Sequence, residues 1–181
     1  PFKVFTPFWR NAEQVYLNQP PSKNYIVKKK IKKITFFKKC IEPKDILPKK
    51  NWYKKFEKYW KVSENESKKA LNNLIEKKIK DYGTARDYPS IEGTSKLSPY
   101  IKHGQIHVST IWKKCNEIKS KGIGYRKYIN ELGWREFSHS LINYFPEFLK
   151  GNYRKEFDKF PWVKNDKYLR AWKTGMTGYP I

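Results

Sequence analysis

Between Tyr125 and Phe145 the chain runs without a proline, and Tyr128, Ile129, Leu132, Leu141, Ile142 and Phe145 recur at helical spacing on one stripe. A run of this length and period buries its apolar face as a helix, because a strand would turn successive residues to opposite faces. The stretch predicts one long, mostly buried helix, with Pro146 beginning its exit. Upstream, Ser63-Glu64-Asn65-Glu66 has the form of a capping box, and Ala70, Leu71, Leu74, Ile75 and Ile79 follow at helical spacing. That pattern predicts a helix of about five turns ending near Asp81-Tyr82-Gly83. Ser98-Pro99, with Ser as cap and Pro at the first helical position, and Val108-Ser109-Thr110 mark two further helix starts, the latter running through Trp112 to Lys119. No period-2 alternation bounded by hairpin turns follows residue 60, so the expected class is mainly α.

Residues 1 to 60 read differently. They hold Thr6-Pro7, Gln19-Pro20-Pro21, Glu42-Pro43, Leu47-Pro48 and the basic run Lys28-Lys29-Lys30-Ile31-Lys32-Lys33, which together predict an extended connector draped over the surface. The basic run is compatible with phosphate contacts, but a solvated linker is the favoured reading. With 38% hydrophobic and 17% aromatic residues, most of the 181-residue chain is able to fold around a core. Lys+Arg 40 against Asp+Glu 17 leaves a net charge of +23, which points to a polyanionic partner, with nucleic acid foremost. No apolar run approaches the ~20 residues that span a bilayer. Cys40 and Cys115 form no CxxC pair and fit free thiols in a reducing compartment. The start at Pro1, with Met176 as the only methionine, suggests a piece of a longer protein.

Two segments carry the chemistry. Gly93-Thr94-Ser95-Lys96-Leu97-Ser98-Pro99 combines three hydroxyls, a cation and a helix start, the parts of an anion site, although taken alone Thr-Ser before a helix is more often ordinary capping. Asn130-Glu131-Leu132-Gly133-Trp134-Arg135-Glu136-Phe137 places Glu131 and Arg135 at i and i+4 with Trp134 beside them, which reads either as an ion pair within the helix or as a site for an aromatic ligand bearing phosphate. Gly133 in mid-helix costs about 1 kcal/mol relative to Ala, so something is expected to approach the backbone there. His103 and His107 stand one helical turn apart with no carboxylate or Cys completing a metal set; surface or capping roles are expected of them, and a core-edge place for His139. No Ser/His/Asp, Cys/His or paired-carboxylate constellation is present.

Taken in order, Gly93 to Tyr100, Glu131 to Ser138 and Ala171-Trp172-Lys173-Thr174-Gly175-Met176-Thr177-Gly178-Tyr179-Pro180-Ile181 resemble the DNA photolyase and cryptochrome family. Phe2-Lys3-Val4-Phe5-Thr6-Pro7-Phe8-Trp9 is similar to the point where that family's amino-terminal antenna domain ends. The ending Gly178-Tyr179-Pro180-Ile181 resembles the class I cyclobutane-dimer photolyases rather than the animal cryptochromes.

The resemblance implies that residues 1–60 are an interdomain connector following an α/β antenna domain, and that 61–181 are the amino-terminal half of a helical FAD-binding domain. It implies FAD contacts from Tyr82, Thr94, Ser95, Lys96, Leu97, Ser98, Tyr128 and Arg135, a DNA contact from Arg86, and a flipped pyrimidine dimer facing Glu131 and Trp134. Lys96 stands where the family commonly has Arg, which loses a planar fork, and Tyr128 where Trp is common. Trp162, in Phe160-Pro161-Trp162, would be the outermost tryptophan of an electron-transfer chain. The implied activity is light-driven repair of cyclobutane pyrimidine dimers by an electron from reduced FAD; the alternative is a cryptochrome-like blue-light sensor. The same resemblance implies a folate or deazaflavin antenna pigment, UV-damaged DNA as partner, a monomer, no membrane, and a bacterial-type cytoplasmic setting. The 181-residue piece by itself is expected to be inactive.

Overall fold

The computed structural model describes residues 1–18 and 46–179. The Lys28–Lys33 run, Cys40, Pro20, Pro21 and Pro43 lie outside the described residues, as do Pro180 and Ile181. The described residues contain helices and no strand: α1 (Phe5–Asn18), a 3-10 turn (Asn51–Lys58), α2 (Glu64–Asn73) with a π turn (Leu74–Lys78), α3 (Tyr82–Ala85), α4 (Ser98–Lys102), α5 (Val108–Asn116), α6 (Ile123–Tyr144), two 3-10 turns (Pro146–Leu149 and Lys155–Lys159) and α7 (Asp166–Thr174). They fall into two compact units, one from Phe2 to Phe137 and one from Ser138 onward together with Pro1.

The first departure from expectation is α1, a regular helix where an extended connector was expected. Pro7 sits in its first turn, where an amide hydrogen is not needed, so proline does not prevent the helix. Trp9 is buried, and Phe5, Phe8, Ala12 and Tyr16 lie half-buried against the same core at spacings of three and four. Phe5 to Asn18 is therefore an integral wall of the first unit.

The α2 start follows the capping reading. Ser63 Oγ accepts from the Glu66 amide at 3.1 Å, while the Glu66 carboxylate turns to Lys69 Nζ at 2.7 Å. The helix then widens into a π turn, closed by the Ile79 amide donating to Leu74 O at 2.8 Å. Ser67, fully buried, donates to Glu64 O at 2.6 Å and lies 3.2 Å from Gln105 O, fastening α2 to the loop before α5. At α4 the boundary moves by one residue: Leu97 is the cap position, without a side-chain cap bond, and Ser98 is the first helical residue. For α5 the cap is His107, whose Nδ1 accepts from the Ser109 amide at 3.2 Å, in line with a capping role. That helix ends at Asn116 rather than Lys119.

The core of the first unit is built on Leu74, Leu97, Ile111, Cys115 and Ile129, all essentially inaccessible. Each aliphatic side chain so buried contributes about 1.5–3 kcal/mol. Cys115 is a free thiol in this core, and burial pushes its pKa up to about 12. Gly133 meets the backbone expectation in an unforeseen way: a Cβ there would stand 2.5 Å from Cδ2 of Trp9. The group that approaches the α6 backbone is thus the chain's own indole from α1.

The expected burial of α6 holds for its first half only. Tyr125, Tyr128, Ile129, Leu132 and Phe137 are buried, whereas Leu141 and Phe145 are half-buried and Ile142 is exposed. From Ser138 on, no described residue is buried. That second unit is held locally: Tyr153 packs edge-on against Phe145 and Phe148, Asn152 Nδ2 donates to Asp158 at 2.8 Å, and α7 is capped by Asn165. Gly175 closes α7 in the left-handed conformation at φ 72°. His139 is exposed rather than at a core edge.

Candidate functional site

The local chain around Gly93 sets the site. A Cβ on Gly93 would fall 2.2 Å from the Ala85 carbonyl oxygen, so only glycine lets the following loop lie against α3. Two residues on, Ser95 Oγ accepts from the Leu97 amide at 3.3 Å. Between them Lys96 takes φ +53°, the one positive φ of a non-glycine among the described residues, and Leu97 returns to φ −86°, ψ −16°. A left-handed residue followed by a right-handed one turns successive amides to the same side and forms an anion-binding concavity. Strain of this kind, of order 1–3 kcal/mol, persists where the surroundings hold it. Here Lys96 Nζ is fastened to Glu92 at 2.5 Å, and Lys78 Nζ donates to Thr94 O at 3.1 Å. The Lys96 bond in turn lowers the pKa of the exposed Glu92 carboxyl.

This loop, α3 and the first half of α6 enclose a cavity of about 620 Å³. It falls within the ~300–1,000 Å³ common for small-molecule sites. All eight residues expected to meet a cofactor, Tyr82, Thr94, Ser95, Lys96, Leu97, Ser98, Tyr128 and Arg135, line it. So does Glu131, together with Trp60, Ile101 and Leu132, which sequence reasoning passed over. Trp60 stands in the segment read as connector; it packs edge-on against Tyr100, whose hydroxyl donates to Lys61 O at 3.1 Å.

Two tyrosines form the aromatic wall. Tyr82 and Tyr128 meet edge to face at 5.1 Å between centroids. Tyr128 is 3% exposed, and burial, followed by the charge of Cys115, raises its pKa against the opposing side-chain hydrogen bond to Ser95. Its hydroxyl therefore keeps its proton across the physiological range. Burial also raises Tyr82, with Arg86 opposing and Glu131 reinforcing.

The charges pair differently from the expected i, i+4 bridge. Glu131 takes the guanidinium of Arg86, which also lies 5.7 Å from the Tyr82 ring and 3.6 Å from Asp87. Burial works against the Arg86 charge, and the Glu131 carboxylate more than offsets it. Arg135 Nη1 instead donates to its neighbour Glu136 at 2.8 Å. Glu136 also accepts from Tyr16 of α1, whose pKa is pushed up to about 12 by burial first, then by the Glu136 charge and bond. Neither Glu136 nor Tyr16 was singled out in the sequence, since nothing local to Glu136 announces a partner on α1.

Trp134 departs from the expected cluster. It does not line the cavity; Phe5 stacks on it at 3.8 Å with the planes 9° apart, and it is 46% exposed. Trp162, in the second unit, is 74% exposed and leans on Phe160 at 4.7 Å. Among the described residues no His/Cys/Asp/Glu cluster suited to a metal occurs, and no helix is long and apolar enough to cross a membrane.

Comparison with known proteins bears on this arrangement directly. A family profile described as the FAD binding domain of DNA photolyase matches residues 128–181, a stretch containing Tyr128, Glu131, Trp134, Arg135 and Trp162. A deoxyribodipyrimidine photo-lyase of Agrobacterium fabrum is 33% identical over 192 aligned positions, covering all of this chain and 38% of that protein. The solved structure of a bacterial class III photolyase from Agrobacterium tumefaciens superposes on 99% of this chain with a TM-score of 0.78 at 30% identity. The chain belongs to the DNA photolyase family.

Within the photolyases, a further deoxyribodipyrimidine photo-lyase, of Alkalihalophilus pseudofirmus, is 27% identical over the full chain. This chain spans less than two-fifths of the length of these relatives, 38% and 37% of the two. The photolyase of solved structure carries the class III label, whereas the class I reading rested on an ending whose Pro180 and Ile181 lie outside the described residues.

Proposed function

We propose that this chain forms part of a light-dependent DNA repair enzyme, in which the cavity holds FAD and a cyclobutane pyrimidine dimer is split. The observation that carries the reading is the gathering of Tyr82, Thr94 to Ser98, Tyr128 and Arg135 around one cavity of suitable size. The Thr94, Ser95 and Ser98 hydroxyls and the left-handed turn at Lys96 suit a diphosphate, and the Tyr82–Tyr128 wall suits a planar ring system. FAD, when bound, supplies the photochemical electron that opens the cyclobutane ring, so no protein nucleophile is required.

The chain's own groups then have separate tasks. Arg135, held by Glu136, presents a fixed positive charge to the cavity. Tyr128, buried and bonded to Ser95, acts as a neutral positioning hydroxyl rather than an acid. Arg86 contacts DNA and holds the Glu131 carboxylate, which meets the flipped dimer. Trp134 keeps an accessible part of its ring for the dimer to stack on, a contact worth ~1–3 kcal/mol per base in single-strand binders. Trp162 passes electrons at the protein surface; its exposure suits that role better than packing. The +23 charge supplies salt-dependent backbone binding. The photolyase names of the relatives favour repair over a light sensor. A folate or deazaflavin antenna pigment, a monomeric state, UV-damaged DNA as partner and a cytoplasmic location, which the free Cys115 thiol suits, belong to the same reading.

Titration of the intact apoprotein with FAD tests the cavity assignment. Arg135→Ala should weaken FAD binding about tenfold or more, given ~1.5–3 kcal/mol for a charge-assisted hydrogen bond. Affinity unchanged in both Arg135→Ala and Tyr128→Ala would place the flavin elsewhere.

A further inference from the structure

The turn Asn51–Lys58 is a 3-10 helix, in which residues three apart stand in register along rows. One row carries Trp52, Lys55 and Lys58; the next carries Tyr53, Phe56 and Tyr59. Trp52 and Phe56 meet edge to face at 5.9 Å, yet they remain 58% and 53% exposed, and Tyr59 is more exposed still. Lys54, Lys55 and Lys58 are exposed around them, with Glu57 as the one acidic residue of the turn. Rings packed on each other normally lose their accessible faces to a core; these two keep theirs beside a row of ammonium groups. The turn is also fixed in place, because the Trp60 amide donates to Phe56 O at 2.8 Å and Trp60 itself lines the cavity.

We propose that the Trp52–Phe56 rings and Lys54, Lys55 and Lys58 form an accessory site for unpaired nucleic acid, separate from the cavity and indifferent to damage. Aromatic faces interleaved with cations match what a single strand offers: base faces freed from a duplex and a phosphate on every nucleotide. The charge decides the occupant, since three lysines against one carboxylate suit a polyanion and leave no reason for an acid-poor protein surface to dock. Eight residues are too few for an amphipathic helix lying on a membrane, and Trp52 shares its row with Lys55 and Lys58 rather than facing away from them. The site deepens the DNA-repair reading, because dimer flipping leaves unpaired bases behind, but its binding requires no dimer.

The test uses the intact, flavin-loaded protein and an unirradiated, labelled oligothymidylate, followed by fluorescence anisotropy across a salt series. The Trp52→Ala/Phe56→Ala double variant should lose at least tenfold in affinity at fixed salt, with its salt slope retained. The Lys54→Gln/Lys55→Gln/Lys58→Gln variant should lower the slope of log affinity against log salt by about 2, at ~0.7 per phosphate contact on a single strand. Flavin content should match wild type in both. Affinity and slope unchanged in both variants would overturn the proposal. So would hydroxyl-radical labelling of Trp52 and Phe56 in the DNA-free protein no greater than that of buried Trp9, since another part of the protein would then cover them. Absence of any preference for irradiated duplex, with the ring dependence intact, would sink the repair reading and support this site independently.

Discussion

Replacing Gly133 by alanine probes the joint between α1 and α6. On an isolated helix the change would stabilise by about 1 kcal/mol. Here the added methyl would stand 2.5, 2.7 and 2.8 Å from Cδ2, Cε2 and Cε3 of Trp9, against ordinary contacts of 3.4–4 Å. The indole has to retreat by about 1 Å, yet it is 5% exposed and wedged between Phe5 and Trp112, with ring centroids at 6.3 and 5.9 Å. Overpacking of a rigid ring costs about 1–3 kcal/mol, and partial loss of Trp9 burial adds to it, so we expect a net destabilisation of about 1–2 kcal/mol. For a protein of this size that lowers Tm by about 2–8 °C. Thermal unfolding followed by far-UV circular dichroism measures it, with Gly122→Ala, where a Cβ would meet nothing within 4 Å, as the control. Combining Gly133→Ala with Trp9→Leu should cost less than the sum of the two. A Gly133→Ala variant more stable than wild type would refute the placement of Trp9 against α6.

Three more outcomes follow from named groups. Cys115 has its folded pKa raised to about 12 from 9.0, so its contribution to stability is complete below pH 9 and is lost as pH rises toward 12; in a Cys40→Ser background, its alkylation at pH 8 should proceed only at the rate of unfolding, and fast native-state reaction would contradict its burial. Glu136→Gln should free Arg135 and weaken FAD binding several-fold while shifting the Tyr16 phenol down from about 12, read as a lower-pH step in the ultraviolet difference titration against Tyr16→Phe; an unmoved step would remove Glu136 as the link between α1 and the cavity. Trp162→Phe should slow light-driven reduction of the flavin and leave repair by chemically reduced enzyme nearly intact, whereas unchanged photoreduction would leave Trp162 without an electron-transfer role.

Where the sequence was legible, a local signal coincided with a tertiary need. The Ser63 cap, the α6 period through Leu132 and the Gly93–Ser98 loop all express short-range geometry, whereas the cavity residues as a set were implied by the family resemblance and not by that geometry. The α1 helix was hidden because prolines and a lysine run dominate residues 1 to 60, although Phe5, Trp9, Ala12 and Tyr16 already repeat at helical spacing. Gly133 signalled a close approach without saying from where, since its partner lies on α1, far away in sequence. The ion pairs were illegible because Glu131 and Arg135 satisfy the i, i+4 rule, while Arg86, far away in sequence, and Glu136, the adjacent residue, compete for them with partly buried, charge-assisted geometry. The distal half of α6 kept its apolar period without burial, because Leu141 and Ile142 find little of the described chain to pack against.

We propose that light, acting through a flavin in this cavity, splits pyrimidine dimers. Its most direct measurement counts cyclobutane dimers in an irradiated oligonucleotide after incubation with the intact, flavin-reduced protein, in blue light and in parallel darkness. Dimers should be lost in light alone, with restored thymines and an uncut strand. Dimers that persist in light while the protein retains a full complement of reduced flavin would contradict it.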